Sequence, residues 1–280
     1  MLLLIDAGNT RVKWAVAAPV TVADPARPDC LPAVPGSWLA SGAVGHDGVD
    51  TLATQWKTLP VRLVLVSNVA GSGLRAALEA QLQLLRHQSG KTIAIDWFAS
   101  TALMAGIQNR YRHPAQLGCD RLASLIGARA LRPGQALIVA TCGTATTVDA
   151  LNANGEFIGG LILPGLGVMA TSLAQRTAQL PAIASLADGA ATKQTALFAD
   201  NTGDAIRNGC LAAQAGAIER AVATHGNAHC LLSGGAAGWI APCVRIAATL
   251  VDNLVLVGLH VVASSSAGSA SGVSGPLNLC

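Results

Sequence analysis

Residues 2–14 read LLLIDAGNTRVKW, and residues 136–151 read ALIVATCGTATTVDAL. Each is an apolar run, then a turn of small hydrogen-bonding residues, then a second run of strand-forming residues. Each therefore predicts two strands joined by a tight turn, over 2–6 with 11–17 and over 136–151. Thr141 lies 135 residues after Asp6, at the matching place in its strand. Two hairpins of one design, half a chain apart, predict two related α/β halves rather than one continuous sheet.

Working outward, Val61–Val66 and residues 92–97 read as buried strands, and 72–87 as a helix with Ser72 as its cap. Residues 19–36 carry five prolines and read as a loop. Residues 104–117 are polar and irregular and hold the only tyrosine, Tyr111. Residues 119–131 read as a helix. A strand over 157–163 leads to Pro164-Gly165, which opens another helix. A long Ala-rich helix is expected over 202–223, a strand over 229–235 and an apolar helix over 253–263. The residues from Ser264, SSSAGSASGVSG, have linker composition and predict a flexible tail. The expected division is 1–117, 118–263 and a tail of 264–280.

The 280 residues are 51% hydrophobic and 12% charged, which excludes a disordered chain. A formal net charge of +3 points to neither a nucleic acid nor a membrane surface as partner. No apolar run approaches the roughly 20 residues of a membrane span, and no signal peptide is visible. Seven cysteines are scattered without a C-x-x-C pair, as expected of a reduced, cytoplasmic protein. His225, His229 and Cys230 have Gly226 and Asn227 among them, so we read them as a loop and not a zinc site.

Four segments are candidates for chemistry. In Asp6-Ala-Gly-Asn-Thr, Gly8 permits a tight turn and a close approach of backbone to a ligand. Asn9 and Thr10 offer hydrogen bonds. Arg11 and Lys13 share a strand face that suits an anion, and Asp6 suits Mg²⁺ held through water. Taken alone these residues fit an ordinary hairpin as well. Gly143-Thr144-Ala145-Thr146-Thr147 is a second candidate phosphate cradle. Ser233-Gly234-Gly235-Ala236 lets backbone approach a flat group. Three such turns at strand ends suggest a nucleotide between the halves, and neither a P-loop nor a Rossmann fingerprint is present. In Gly118-Cys119-Asp120-Arg121, the carboxylate suits a hydroxyl and the guanidinium fork suits a carboxylate. The alternative is a plain helix start whose Asp is favoured by the helix dipole.

Together, DAGNTRVKW (6–14), GCDR (118–121), GTATTVDAL (143–151), FIGGLILPG (157–165), NTGDAIRNG (201–209) and DNLVLVGL (252–259) resemble the type III pantothenate kinases and the related Bvg accessory factor proteins. The resemblance covers nearly everything before the tail. It implies two actin-like (ribonuclease H-like) α/β halves with a nucleotide cleft between them, in the superfamily of acetate and sugar kinases, heat-shock ATPases and actin. It implies ATP-dependent phosphorylation of pantothenate, at the start of coenzyme A synthesis. Asp6, Ala7, Gly8, Asn9, Thr10, Arg11, Val12 and Lys13 would then bind the ATP phosphates, with Asp6 near Mg²⁺, and Thr144 would be a further ATP contact. Asp120 would be the general base. Gly118, Cys119, Asp120 and Arg121 would line the substrate pocket with Tyr111 and Thr202, Arg121 facing the substrate carboxylate. The family pocket lies at a homodimer interface, so Thr202 would serve the neighbouring subunit. A regulatory protein and a kinase of another small hydroxy acid are the competing readings.

The clearest departure from the pattern is at Thr141, while Val257 also stands where an acidic residue is common, with no consequence derived from it. Many family members have Asp where this chain has Thr141, and that Asp binds a monovalent cation, K⁺ or ammonium. A neutral hydroxyl is a poorer ligand, so a weaker or different cation dependence is expected.

Overall fold

A computed structural model describes residues 1–19, 35–90, 92–177, 180–181 and 197–269. The chain divides into two compact units: Met1–Leu131 with the chain from Leu254 onward, and Arg132–Asn253.

The first unit opens with the expected hairpin, β1 (Leu2–Ala7) and β2 (Arg11–Ala17). It continues through β3 (Ala40–Gly45), a 3-10 turn (His46–Thr51), α1 (Leu52–Trp56), β4 (Leu63–Asn68), α2 (Gly71–Ser89) and β5 (Ala94–Phe98). A short hairpin of β6 (Leu103–Met104) and β7 (Ile107–Asn109) precedes α3 (Cys119–Leu131). The main sheet runs β3-β2-β1-β4-β5, with β1 antiparallel to β2 and parallel to β4.

Strand alternation sorts β1 into two faces. Leu3, Ile5 and Ala7 join Val12, Trp14, Val16, Val64 and Val66 in a core closed by Trp56 of α1 and by Leu74, Leu78, Leu82 and Leu85 of α2. The opposite face carries Leu2, Leu4 and then Asp6, and α3 and the C-terminal helix (Leu254–Ser269) pack on that side of the sheet.

The second unit repeats this plan. β8 (Leu137–Cys142) and β9 (Ala145–Leu151) form the hairpin, and β10 (Glu156–Pro164) pairs outside β9. Then come α4 (Leu166–Arg176), α5 (Thr202–Thr224), β11 (His229–Ser233), α6 (Ala237–Ile240) and β12 (Ala248–Leu250). Its strand order, β12-β11-β8-β9-β10, is that of the first unit strand for strand. Ile138, Ala140 and Val148 pack with Leu166, Ile206, Cys210, Ile218 and Val222 in its core.

Three expectations shift. The boundary set at 117/118 is not where the units divide, because α3 belongs with the first unit. Its backbone lies directly against the C-terminal helix. A methyl at Gly127 would lie 2.7 Å from the Leu254 carbonyl oxygen, and one at Gly258 would collide with the Ala123 carbonyl. The tail expected from Ser264 is helical through Ser269, with Ser264 Oγ donating to His260 O at 2.6 Å; residues 270–280 lie outside the described residues. Helix α2 begins at Gly71 and has no side-chain cap. Instead of Ser72, Asn68 accepts from the Ala70 N–H at 3.0 Å. The loop expected over 19–36 falls largely outside the described residues, and β3 beyond it had no clear sequence pattern.

His260, fully buried, fastens the C-terminal helix to the chain leaving β2. Its Nε2–H donates to Ala18 O at 2.6 Å, and its Nδ1 accepts from Gly36 N at 3.4 Å. Burial lowers its pKa, which keeps it neutral in this role.

Candidate active site

Strand register places three polar residues side by side at the end of β1. Asp6 pairs with Lys13 on one side and with Ser67 on the other, so all three lie on the face covered by α3. Burial first, and the nearby negative charge of Asp120 second, push the Asp6 carboxyl up to about 7 against the opposing charge of Lys13. Two carboxylates thus share one electrostatic site with an ammonium beside them. The turn that follows closes with Gly8 N–H donating to Arg11 O at 3.1 Å. Asn9, Thr10 and Arg11 are exposed around it, while Lys13 is half-buried. The Ala7 and Val12 side chains are wholly in the core, so only their backbone borders the turn.

The start of α3 supplies the second carboxylate. Asp120 Oδ1 accepts from the Arg121 N–H at 2.8 Å. This folded-back carboxylate requires glycine at 118, where a methyl would lie 2.6 Å from Oδ1. Burial is the leading cause that raises the Asp120 pKa, against its hydrogen bond to Arg121. Cys119 Sγ lies 3.3 Å from Ser67 Oγ and 3.6 Å from Asn68 O, which ties the helix start to the end of β4. Burial also raises the Cys119 thiol, so it acts here as a small packing group and not as a nucleophile.

Arg121 is buried, with its Nη1 donating to Tyr111 Oη at 3.0 Å and its guanidinium 5.6 Å from the Tyr111 ring centre. The loop holding Tyr111 is fixed by buried Asn109. Its amide donates to Pro114 O at 2.9 Å, and its Oδ1 accepts from Tyr111 N at 3.1 Å. The first unit alone therefore assembles Asp6, Lys13, Cys119, Asp120, Arg121 and Tyr111. Sequence reasoning missed Ser67 and Asn109. Each is a single polar residue at the end of a strand, and only register or a bond to a distant loop gives it meaning.

Thr144 and Thr202 belong to the second unit. Thr144 sits in the β8–β9 turn, closed by Gly143 N–H to Ala145 O at 3.0 Å. Two further backbone bonds gather the glycine turns around it: Gly165 N–H to Thr144 O at 2.9 Å, and Ala236 N–H to Cys142 O at 3.0 Å. Gly234, at φ +94°, has no room for a side chain against the Cys142 backbone. Thr202 is exposed in the first turn of α5, beside the Asn201 cap that accepts from Asp204 N–H at 2.9 Å. The row corresponding to Lys13-Asp6-Ser67 is Thr147-Thr141-Ser233, hydroxyls throughout. Thr147 Oγ1 is buried without a hydrogen-bond partner among the described residues.

The donors of the first unit fit Mg²⁺ better than they fit a structural metal. Among the described residues no group of three or more His, Cys, Asp and Glu forms a protein-only metal site. Magnesium usually takes one or two carboxylates together with substrate phosphates, which Asp6 beside Asp120 matches. His225 and His229, the rejected zinc candidates, are each engaged elsewhere. Their Nε2 atoms lie 3.1 Å from Leu151 O and 3.0 Å from Thr249 Oγ1.

Among solved structures, a Baf-family protein from Campylobacter jejuni superimposes with a TM-score of 0.58 at 17% identity, covering 95% of this chain and 99% of that one. A protein assigned as a 2-dehydro-3-deoxygalactonokinase from Sinorhizobium meliloti gives 0.55 at 16% identity, with all of both chains covered. These likenesses agree with the two actin-like halves. The type III pantothenate kinase of Janthinobacterium sp. (strain Marseille) is 53% identical over 270 residues, which cover 94% of this chain and 97% of that protein. That of Herminiimonas arsenicoxydans is 51% identical over 271 residues, with the same coverage. The sequence profile of type III pantothenate kinases matches residues 2–224, and the chain belongs to that family.

Proposed function

We propose that the protein transfers the γ-phosphoryl group of ATP to the primary hydroxyl of pantothenate, giving 4′-phosphopantothenate at the start of coenzyme A synthesis in the cytoplasm. One observation carries this reading. A single unit holds an ammonium beside a half-buried carboxylate (Lys13, Asp6) and a second carboxylate beside a buried guanidinium (Asp120, Arg121).

Phosphoryl transfer asks the protein for positioning and for charge opposite the oxygens of the transferred group. Residues Asp6–Lys13 and Thr144 hold the ATP phosphates, and Lys13 offsets their charge. Mg²⁺ held by Asp6 through water would neutralise part of the charge on the β- and γ-phosphates. Asp120 accepts the hydroxyl proton as the substrate oxygen bonds to the γ-phosphorus. The bond from that phosphorus to the bridging oxygen breaks, and ADP leaves with the electron pair. Desolvation suits Asp120 to taking a proton. Arg121, braced by Tyr111, binds the substrate carboxylate, with Gly118 and Cys119 lining the same pocket. Purified protein given ATP, Mg²⁺ and pantothenate should form ADP and 4′-phosphopantothenate in equal amounts. ADP without the phosphorylated product would point to another hydroxy acid, and neither product would favour a regulatory protein.

Replacing the guanidinium should separate the two substrates. Arg121→Met removes a charge-assisted bond worth about 2 kcal/mol, so the KM for pantothenate should rise about 30-fold. The KM for ATP should stay within about threefold, and equal losses for both substrates would contradict the assignment.

Thr141 places no carboxylate where many relatives hold a monovalent cation. Its row offers only neutral hydroxyls, including the unpartnered Thr147 Oγ1. Activity titrated with K⁺, Na⁺ and ammonium should change little, and strong saturable activation by K⁺ would refute this.

A homodimer is supported by large apolar side chains left in solvent on the second unit. Ile158 and Ile162 of β10 are 54% and 65% exposed, and Phe198, four residues before Thr202, is 88% exposed. In such a dimer Thr202 would serve the neighbouring subunit's site. Sedimentation should return a dimer at micromolar concentration, and a monomer there would overturn it.

A further inference from the structure

His46 lies outside every segment discussed above as catalytic or substrate-binding. It is the first residue of the 3-10 turn after β3, and its Nε2 lies 2.9 Å from the Gly8 carbonyl oxygen. A carbonyl accepts, so Nε2 carries the proton in this contact. Its platform is fixed. Gly45, the preceding residue, is paired with Arg11, and Val49 of the same turn is buried in the core. Asp47 folds back so closely on Gly45 that a side chain there would collide with it.

The consequence lies in the peptide between Gly8 and Asn9. A trans peptide is planar, and its C=O and N–H point in opposite directions. Holding the Gly8 carbonyl toward His46 therefore turns the Asn9 N–H to the opposite side of the turn. Gly8 lacks a Cβ, so its backbone admits orientations barred to other residues. The His46 contact selects one of these orientations.

The second unit holds its own hairpin turn from the same place, through a different carbonyl of the turn. There the residue that follows the outer strand is Gly165, after Pro164 of β10, and its N–H donates to Thr144 O in the β8–β9 turn. Pro164 pairs with Ala145 at the start of β9, just as Gly45 pairs with Arg11 at the start of β2. His46 and Gly165 thus occupy equivalent positions. The remaining anchor is also shared: Val69 N–H donates to Ala7 O at 3.1 Å, as Ala236 N–H does to Cys142 O. Each hairpin turn is held from just past the end of its inner neighbouring strand, β4 or β11, and from just past the end of its outer strand. In the second unit both donors are backbone. In the first, a histidine side chain supplies the one that backbone does not.

We propose that His46 is a positioning residue of the nucleotide-binding turn, holding the Gly8 carbonyl so that the Asn9 N–H stays presented to a phosphate oxygen. This rests on the reading of residues 6–13 as the ATP phosphate site. The test compares His46→Phe, which keeps a planar ring but no donor, with His46→Gln, whose amide restores one. Mg²⁺–ADP binding is measured by calorimetry, and KM is measured for both substrates. In His46→Phe, the Kd for Mg²⁺–ADP and the KM for ATP should each rise about tenfold, the range of one lost hydrogen bond. The KM for pantothenate should be unchanged, and His46→Gln should lie within about threefold of the unaltered protein. Unchanged nucleotide affinity in His46→Phe, equal loss for both substrates, or a Gln variant as weak as Phe would each overturn the proposal. Failure of the unaltered protein to bind Mg²⁺–ADP would overturn the reading of the turn itself, which separates the two failures.

Discussion

Asp120→Asn should lower turnover by about 10²–10⁴-fold while leaving the fold and nucleotide affinity nearly unchanged, the range expected for loss of a general base. The substitution suits the question because Asn keeps the size of Asp, and its side-chain oxygen still accepts from the Arg121 N–H. Only the capacity to take the hydroxyl proton and the negative charge are lost. The charge has its own signature. Asp6 is pushed up to about 7 by burial first and by Asp120 second. A carboxyl with a raised pKa loses its ionised form as pH falls through that value. The kcat/KM for ATP, which reports the free enzyme, should therefore decline below about pH 7 in the unaltered protein. With Asn at 120 one raising influence disappears, and that acid limb should move to lower pH. Stopped-time assays across pH 5–9 read both effects. Turnover within threefold of the unaltered protein would remove Asp120 from the proton-transfer role. An acid limb that stays in place would show that the two carboxylates are not coupled.

The same coupling explains what the sequence could and could not convey. Both hairpins were legible, since an apolar run into a Gly-containing turn has few other readings. Their equivalence was legible through Asp6 and Thr141, and the matching strand orders bear it out. Helix α3 was expected over the residues it occupies. What stayed hidden depends on pairings across the chain. Ser67 matters because β4 pairs with β1 in a register that sets it next to Asp6, and no local pattern encodes that register. Asn109 matters because its amide holds the loop of Tyr111, yet in sequence it is one polar residue in a polar segment. His46 follows a glycine-rich strand, ASGAVG, whose composition does not announce a strand at all. The place of α3 was misjudged for a similar reason, since its partner helix lies more than a hundred residues downstream.

That distant partner leads to the second large effect. Gly258→Ala should destabilise the protein by about 3 kcal/mol, the upper part of the usual range for overpacking a close contact. A methyl there runs into the Ala123 carbonyl carbon and oxygen, which are backbone atoms of α3 and cannot rotate away. The helices touch so closely that Gly127 also lacks room, 2.9 Å from the Gly258 nitrogen. Relief requires the helices to separate. An exposed helix position would show the opposite sign, because Ala is a better helix former than Gly by roughly 1 kcal/mol. The direction of the change therefore distinguishes a backbone contact from a solvent-facing glycine. Thermal unfolding should fall by about 6–12 °C, using about 2–4 °C per kcal/mol for a chain of this size. A second consequence sets this variant apart from one that merely unfolds more easily. Asp120 and Arg121 stand at the start of α3, within one turn of Ala123, so displacing the helix moves the base and the guanidinium together. Well below the new melting temperature, turnover and the KM for pantothenate should both worsen while Mg²⁺–ADP affinity holds, since the hairpin lies on a different element. A melting temperature equal to or above that of the unaltered protein would show that the helices do not pack backbone to backbone.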